Sequence, residues 1–191
     1  VDSVEYEQLK QSLISGRRDL TVQSTPENLV HNGSAVDFEA PCIPLPEDPA
    51  FNGWTELAPN DDLSISVQLS FDFDFYGVLY PAGTTLWINN NGNLNFGSTG
   101  LSTFTPGGFP LTSQTPMIAP YWADVDTRLP LNGQTQPRNQ VWYIMDGETL
   151  VVVWDAVGYF SRQTDKRNTF QVIISGTSST RLGNGSNICF C

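Results

Sequence analysis

The 191-residue chain carries 20 Asp and Glu against nine Lys and Arg, a formal net charge of -11. Proteins that bind nucleic acid or anionic membranes draw most of their affinity from clustered Lys and Arg, so that balance argues against both partners. With 15% charged residues, 12% aromatics, 16 Gly and 13 Pro, the composition suits one β-rich, loop-rich domain with a buried core rather than a helical protein.

The chain starts at Val1, without an initiator Met or an apolar leader, which reads as a processed or excised piece. Val1 to Arg18 holds the single helical pattern, with Val4, Leu9, Leu13 and Ile14 along one side and Gly16 ending it. From Asp19 to Pro49 periodicity is weak, and the proline-rich "APCIPLPEDP" reads as an extended lead-in. Residues 1–49 are therefore expected to form an N-terminal arm with a short helix, and residues 50–191 the β domain.

From Leu63 to Phe75 apolar and polar residues alternate strictly, the mark of a strand with one buried face. Thirteen residues exceed an ordinary strand, which predicts a bend or a change of sheet partway. Asp72 and Asp74 fall on the wet face, where charge guards an edge against aggregation. "TTLWINNNGNLNF" predicts two strands around a tight turn at Asn89 to Gly92, because Asn and Gly tolerate the positive φ that hairpin turns need.

"MIAPYWADVDTR", Met117 to Arg128, follows a long loop. If it is extended, Trp122, Asp124 and Asp126 share a face, with the two carboxylates roughly 6 to 7 Å apart. Such a pair fits three readings: acceptors that order the following loop, ligands of Ca²⁺, or glycosidase acids. "QVWYIM", "TLVVVWDAVGYF" and "NTFQVIIS" predict a three-stranded meander turning at Asp146-Gly147 and at the polar "SRQTDKR", and "ICFC" predicts a last short strand. Strands in series without helices between them imply an all-β antiparallel sandwich. Trp87, Trp122, Trp142 and Trp154 could form a sugar-stacking platform, but most lie in apolar strand segments, where Trp is more often core, whereas Trp54 in "FNGWTEL" is expected to be exposed.

Nucleophilic catalysis finds little support: His31 is the sole histidine, and no G-x-S-x-G elbow surrounds a serine. The three cysteines lack zinc-ligand spacing. Cys189 and Cys191, one residue apart, are not expected to bridge each other, so Cys42 is expected to pair with one of them and leave a thiol over. Asn32-Gly33-Ser34 and Asn184-Gly185-Ser186 are N-glycosylation sequons.

Taken in order, "FDFDFYGVLY", "LWINNNGNLNF", "FTPGGFP", "PMIAPYWADVDTR", "VWYIM", "VVVWDAVGYF", "DKRNTFQVII" and "GNGSNICF" resemble the nidogen-like (NIDO) extracellular domain family from about Phe51 to the C-terminus, some three quarters of the chain. The resemblance implies a secreted or cell-surface, non-enzymatic module used in adhesion or assembly, with an extracellular protein or glycan as partner. It implies structural roles for the shared positions, among them Gly92, Trp122, Asp124, Asp126 and Asn168. The family pattern continues past the last motif into a further aromatic strand, whereas this chain stops at Cys191. Further domains or a C-terminal fragment of the same precursor are therefore expected to accompany it. A Ca²⁺-dependent, lectin-like sandwich is the alternative function, and a carbohydrate-active enzyme using Asp124 and Asp126 the third.

Overall fold

The computed structural model describes residues 42–108, 115–130 and 138–191. The expected helix at Val1 to Arg18, His31 and the Asn32 sequon lie outside them. Among the described residues the regular structure is almost wholly strand, and no helix is long and apolar enough to cross a membrane.

Two antiparallel sheets form the layers. The first has five strands in the order β1 (Thr55–Glu56), β8 (Gln140–Asp146), β9 (Thr149–Tyr159), β10 (Gln163–Ser175) and β11 (Asn187–Phe190). The second has four: β2 (Ser64–Gln68), β5 (Thr85–Asn89), β6 (Asn93–Phe96) and β7 (Met117–Ile118). A separate hairpin, β3 (Phe73–Phe75) and β4 (Val78–Tyr80), completes the set. The long alternating run thus divides as its length predicts, β2 in the four-stranded sheet and β3 in the hairpin.

Alternation along the strands builds the core. Leu150, Val152 and Trp154 of β9 face inward with Val172 and Ile174 of β10, and they meet Val67, Leu86, Ile88, Leu94 and Phe96 of the four-stranded sheet. Trp154 stacks on Phe170 with ring centroids 4.9 Å apart, adding an aromatic contact to the area removed from water.

The intervening residues of β9, Val151 and Val153, are also buried, which explains why "LVVVW" is apolar without a break. They pack with Ile173, Trp142 and Trp54, and Ile43, Leu45 and Cys189 lie against this second cluster. Trp54 is therefore not exposed as expected but only 7% accessible. Its loop folds back because the outer face of the five-stranded sheet needs an apolar cover. The β unit takes in residues on the arm's side of Ala50 as well: Ile43 donates its N–H to Gln171 Oε1 at 2.9 Å, and the Gln171 amide returns a bond to the Ile43 carbonyl at 2.7 Å.

The β9–β10 turn falls earlier than the polar "SRQTDKR" predicts. Ser161 and Arg162 take left-handed φ of 62° and 59°, and β10 begins at Gln163, so the polar stretch is strand. Register shifts between Gln163, Asn168 and Phe170 absorb the irregularity.

Candidate functional site

The site is the junction between the β5–β6 hairpin, the Asn60–Asp62 loop and the segment from Tyr121 to Arg128. The asparagine run makes this junction. At the hairpin turn Gly92 has φ +82°, and a Cβ placed there would lie 1.9 Å from the Tyr121 carbonyl oxygen. Only glycine combines that backbone conformation with so close an approach.

The adjoining asparagines do what a turn does not require. Asn90, fully buried, donates its side-chain N–H groups to the Val125 carbonyl at 2.6 Å and the Asp61 carbonyl at 2.7 Å, while its own carbonyl accepts the Trp154 indole N–H at 2.9 Å. Asn91 accepts the Val125 N–H at 2.8 Å and donates to Asp62 Oδ1 at 2.8 Å. Thr127 Oγ accepts the Asn60 N–H at 2.9 Å, closing the loop on its far side. Residues 121–126 are therefore not held as a strand: side-chain amides take the place of ladder partners for this irregular backbone.

That framework sends the two aspartates of "ADVDTR" to different surroundings. Asp126 is wholly buried. Its carboxylate accepts the Arg128 backbone N–H (3.0 Å), the Arg128 Nε–H (2.8 Å) and Nη2–H (2.6 Å), and the Arg162 backbone N–H (2.9 Å). The fork-on-carboxylate geometry satisfies both oxygens, and these hydrogen bonds hold the Arg128 guanidinium above its ordinary pKa. Asn139 locks the far side, donating to the Asp126 carbonyl at 3.2 Å and accepting the Gly158 N–H at 2.8 Å.

Asp124 belongs instead to a group with Asp61 and Asp62, one oxygen of each lying within 4.8 Å of the others, and all three residues are half-buried. Arg128 reaches into this group too, with Nη2 2.7 Å from Asp61 Oδ2. One guanidinium does not offset so many carboxylates. Burial first, then the charge of Asp126, push the Asp61 carboxyl up to about 6 despite Arg128. Asp61 Oδ1 is itself buried without a hydrogen-bond partner. Chemically the three carboxylates offer hard oxygen ligands suited to Ca²⁺, for which Asp61, Asp62 and Asp124 are the candidate residues. Asp126 does not fit that role, because its oxygens are already committed to Arg128 and Arg162.

The other residues singled out in the sequence fall elsewhere. Trp122 is half-buried and donates its indole N–H to the Thr103 carbonyl at 3.0 Å. Asn168 is exposed on β10, opposite Val157. Asp72 and Asp74 are exposed and accept the Ala82 and Gly77 N–H groups through their carboxylates. Asn184 is exposed in the loop before β11, and Ser186 of its sequon accepts the Asp74 N–H at 2.8 Å. Cys42 is bonded to Cys191 across 149 residues of sequence, and Cys189 is a free, half-buried thiol. Sequence reasoning passed over Asp61, Asp62, Arg128 and Asn90. Two signals stood there: the Asp-x-Arg spacing at 126 and 128, and an asparagine run longer than a hairpin turn needs.

Comparison with known proteins identifies the framework. The family model for the nidogen-like domain matches residues 84–182. Alpha-tectorin of mouse and of human are each 30% identical over 138 residues, 63% of this chain and 6% of the relative. Nidogen of Drosophila melanogaster is 30% identical over 155 residues, 70% of this chain and 11% of the relative. The chain thus spans about a tenth or less of the length of these relatives, and no solved structure matches it. The match runs from β5 through β10 and takes in the asparagine hairpin, both aspartates and Arg128, and on that ground the chain belongs to the nidogen-like domain family of extracellular proteins.

Proposed function

We propose that the β unit is a non-enzymatic interaction module of a larger extracellular protein, binding a protein partner through the β3–β4 hairpin. The observation that carries this reading, beside the family, is the hairpin's surface. Tyr76 at its tip is 93% exposed, and Val78 and Leu79 are more than half exposed. Tyr76 also holds a left-handed φ of 53°, an unfavourable conformation for an aromatic residue that turns its side chain to solvent. An exposed Tyr is of a residue type enriched among interface hot spots, and Val78 and Leu79 extend the exposed apolar surface beside it. The state of Asp126 argues against the glycosidase reading, since a fully buried carboxylate bound to a guanidinium is neither an accessible acid nor a nucleophile.

The test is solid-phase binding to a decellularised matrix extract, comparing wild type with the Tyr76→Ser, Leu79→Ser double variant. At least tenfold weaker retention at an unchanged melting temperature is expected; equal retention overturns the assignment. The convergence of Asp61, Asp62 and Asp124 favours one second reading, Ca²⁺-dependent glycan binding. Glycan-array binding that is lost with EDTA and in Asp124→Asn supports it, and binding indifferent to both excludes it.

A further inference from the structure

Residues two apart on an extended strand share a face, and the end of the chain uses that geometry. Cys189, in β11, and Cys191, just past it, bring their Sγ atoms within 4.0 Å of each other, and Cys191 Sγ is bonded to Cys42. Three sulfurs are therefore in series: a free thiol, the central sulfur of Cys191 and a leaving sulfur on Cys42. Cys42 and Cys191 are exposed and line an open groove of about 460 Å³, so solvent and base reach them. The thiol is held in place from behind. Cys189 packs on the cluster of Trp54, Trp142 and Ile173, and its backbone is in register with Ile173 of β10.

We propose that Cys189 is the attacking thiol of an internal thiol–disulfide exchange that transfers Cys191 from Cys42 to Cys189. The Cys189 thiol loses its proton to solvent, and the thiolate attacks Cys191 Sγ. The Cys42–Cys191 bond breaks as the Cys189–Cys191 bond forms, and Cys42 leaves as a thiolate that takes up a proton. No oxidant or reductant is consumed, because one disulfide and one thiol stand on each side.

The new bond joins residues whose Cα atoms, on a regular strand, sit roughly 6.6 Å apart, at the long limit of disulfide geometry. Cys191 must also give up its two backbone bonds to Gln171, of 2.8 and 2.9 Å. The exchanged form is accordingly the minor one. Its consequence is topological: the loop that ties residue 42 to residue 191 opens, and Cys42 becomes a free thiol able to join a second molecule.

Irreversible alkylation separates the two forms. The protein is incubated with iodoacetamide at pH 8.5 over a range of low reagent concentrations, quenched in acid, and digested without reduction for mass spectrometry. As the reagent is diluted, exchange gains on capping, and the ratio of Cys42 label to Cys189 label is expected to rise at least fivefold, together with a Cys189–Cys191 disulfide peptide. Cys189→Ser, which keeps the Cys42–Cys191 bond, is expected to show at least tenfold less label on Cys42. Label confined to Cys189 at every reagent concentration overturns the proposal. So does Cys42 label that is equal in Cys189→Ser or that grows with protein concentration.

Discussion

Asp124 and Asp126 stand one residue apart in sequence, yet they occupy opposite electrostatic regimes. Asp126 is buried against a guanidinium fork and two backbone N–H groups, so every lone-pair direction that matters is used. Asp124 shares its surroundings with Asp61 and Asp62, three carboxylates grouped together, with Arg128 in contact with Asp61. The difference teaches that a carboxylate pair read from sequence is not a functional unit. What each group does is set by the donors and charges that the fold brings to it.

The largest expected effect comes from breaking the closed half. Asp126→Ala removes the acceptor of four hydrogen bonds, leaving the Arg162 N–H unpaired and the partly exposed Arg128 guanidinium with its Asp61 contact, at a cost of about 3 kcal/mol, the low end of the range for breaking one side of a buried ion pair. Asp124→Ala leaves those four bonds of the closed half in place and, at a half-buried position, should cost less than Asp126→Ala. Urea unfolding of the two variants measures the contrast, and equal losses would abolish it.

Asn91 joins the halves, accepting the Val125 N–H between the two aspartates and donating to Asp62. Asn91→Ala should cost about 1 to 3 kcal/mol, because the buried Val125 N–H loses its partner. A double-mutant cycle with Asp62→Ala then apportions the loss between the two bonds, and strict additivity would show that the Asn91–Asp62 bond couples nothing.

The smallest effect is confined to the open half and depends on pH. Asp61 is pushed up to about 6 in the fold against a reference of 3.8, so folding favours its protonated form. The stability this group contributes is full below the reference value and is lost as pH rises through 6. Asp61→Asn, which stays neutral, should gain on wild type as pH rises from the reference value of 3.8 to about 6 and keep that lead above. Melting temperatures of both proteins from pH 4 to 8 check this; a lead that shrinks as pH rises would reverse the sign. Millimolar Ca²⁺ at pH 7.5 should reduce the lead if Asp61, Asp62 and Asp124 hold the ion.

How far the sequence reaches is clearest at particular residues. The Leu63–Phe75 alternation, the Asn-Gly turn and the Asp146-Gly147 turn are local signals, each set by backbone sterics or a two-residue period, and they stand in the fold where they were expected except at Leu63, which is 65% exposed ahead of β2. Trp54 was misread because exposure is decided by what folds over a loop, and its cover comes from β8, β9 and β10. The second meander turn was misplaced because the positive φ angles at Ser161 and Arg162 carry no Gly or Asn signature.

By itself the sequence determined the all-β class, the Asn-Gly and Asp146-Gly147 turns and the family, since these follow from periodicity, turn chemistry and an ordered set of motifs. Only the tertiary structure decided which aspartate is neutralised and which joins an acidic group. Asp61 and Asp62 reach Asp124 through hydrogen bonds of Asn60, Asn90 and Asn91, across 62 residues or more. Charge acts through space, and no spacing along the chain encodes that distance.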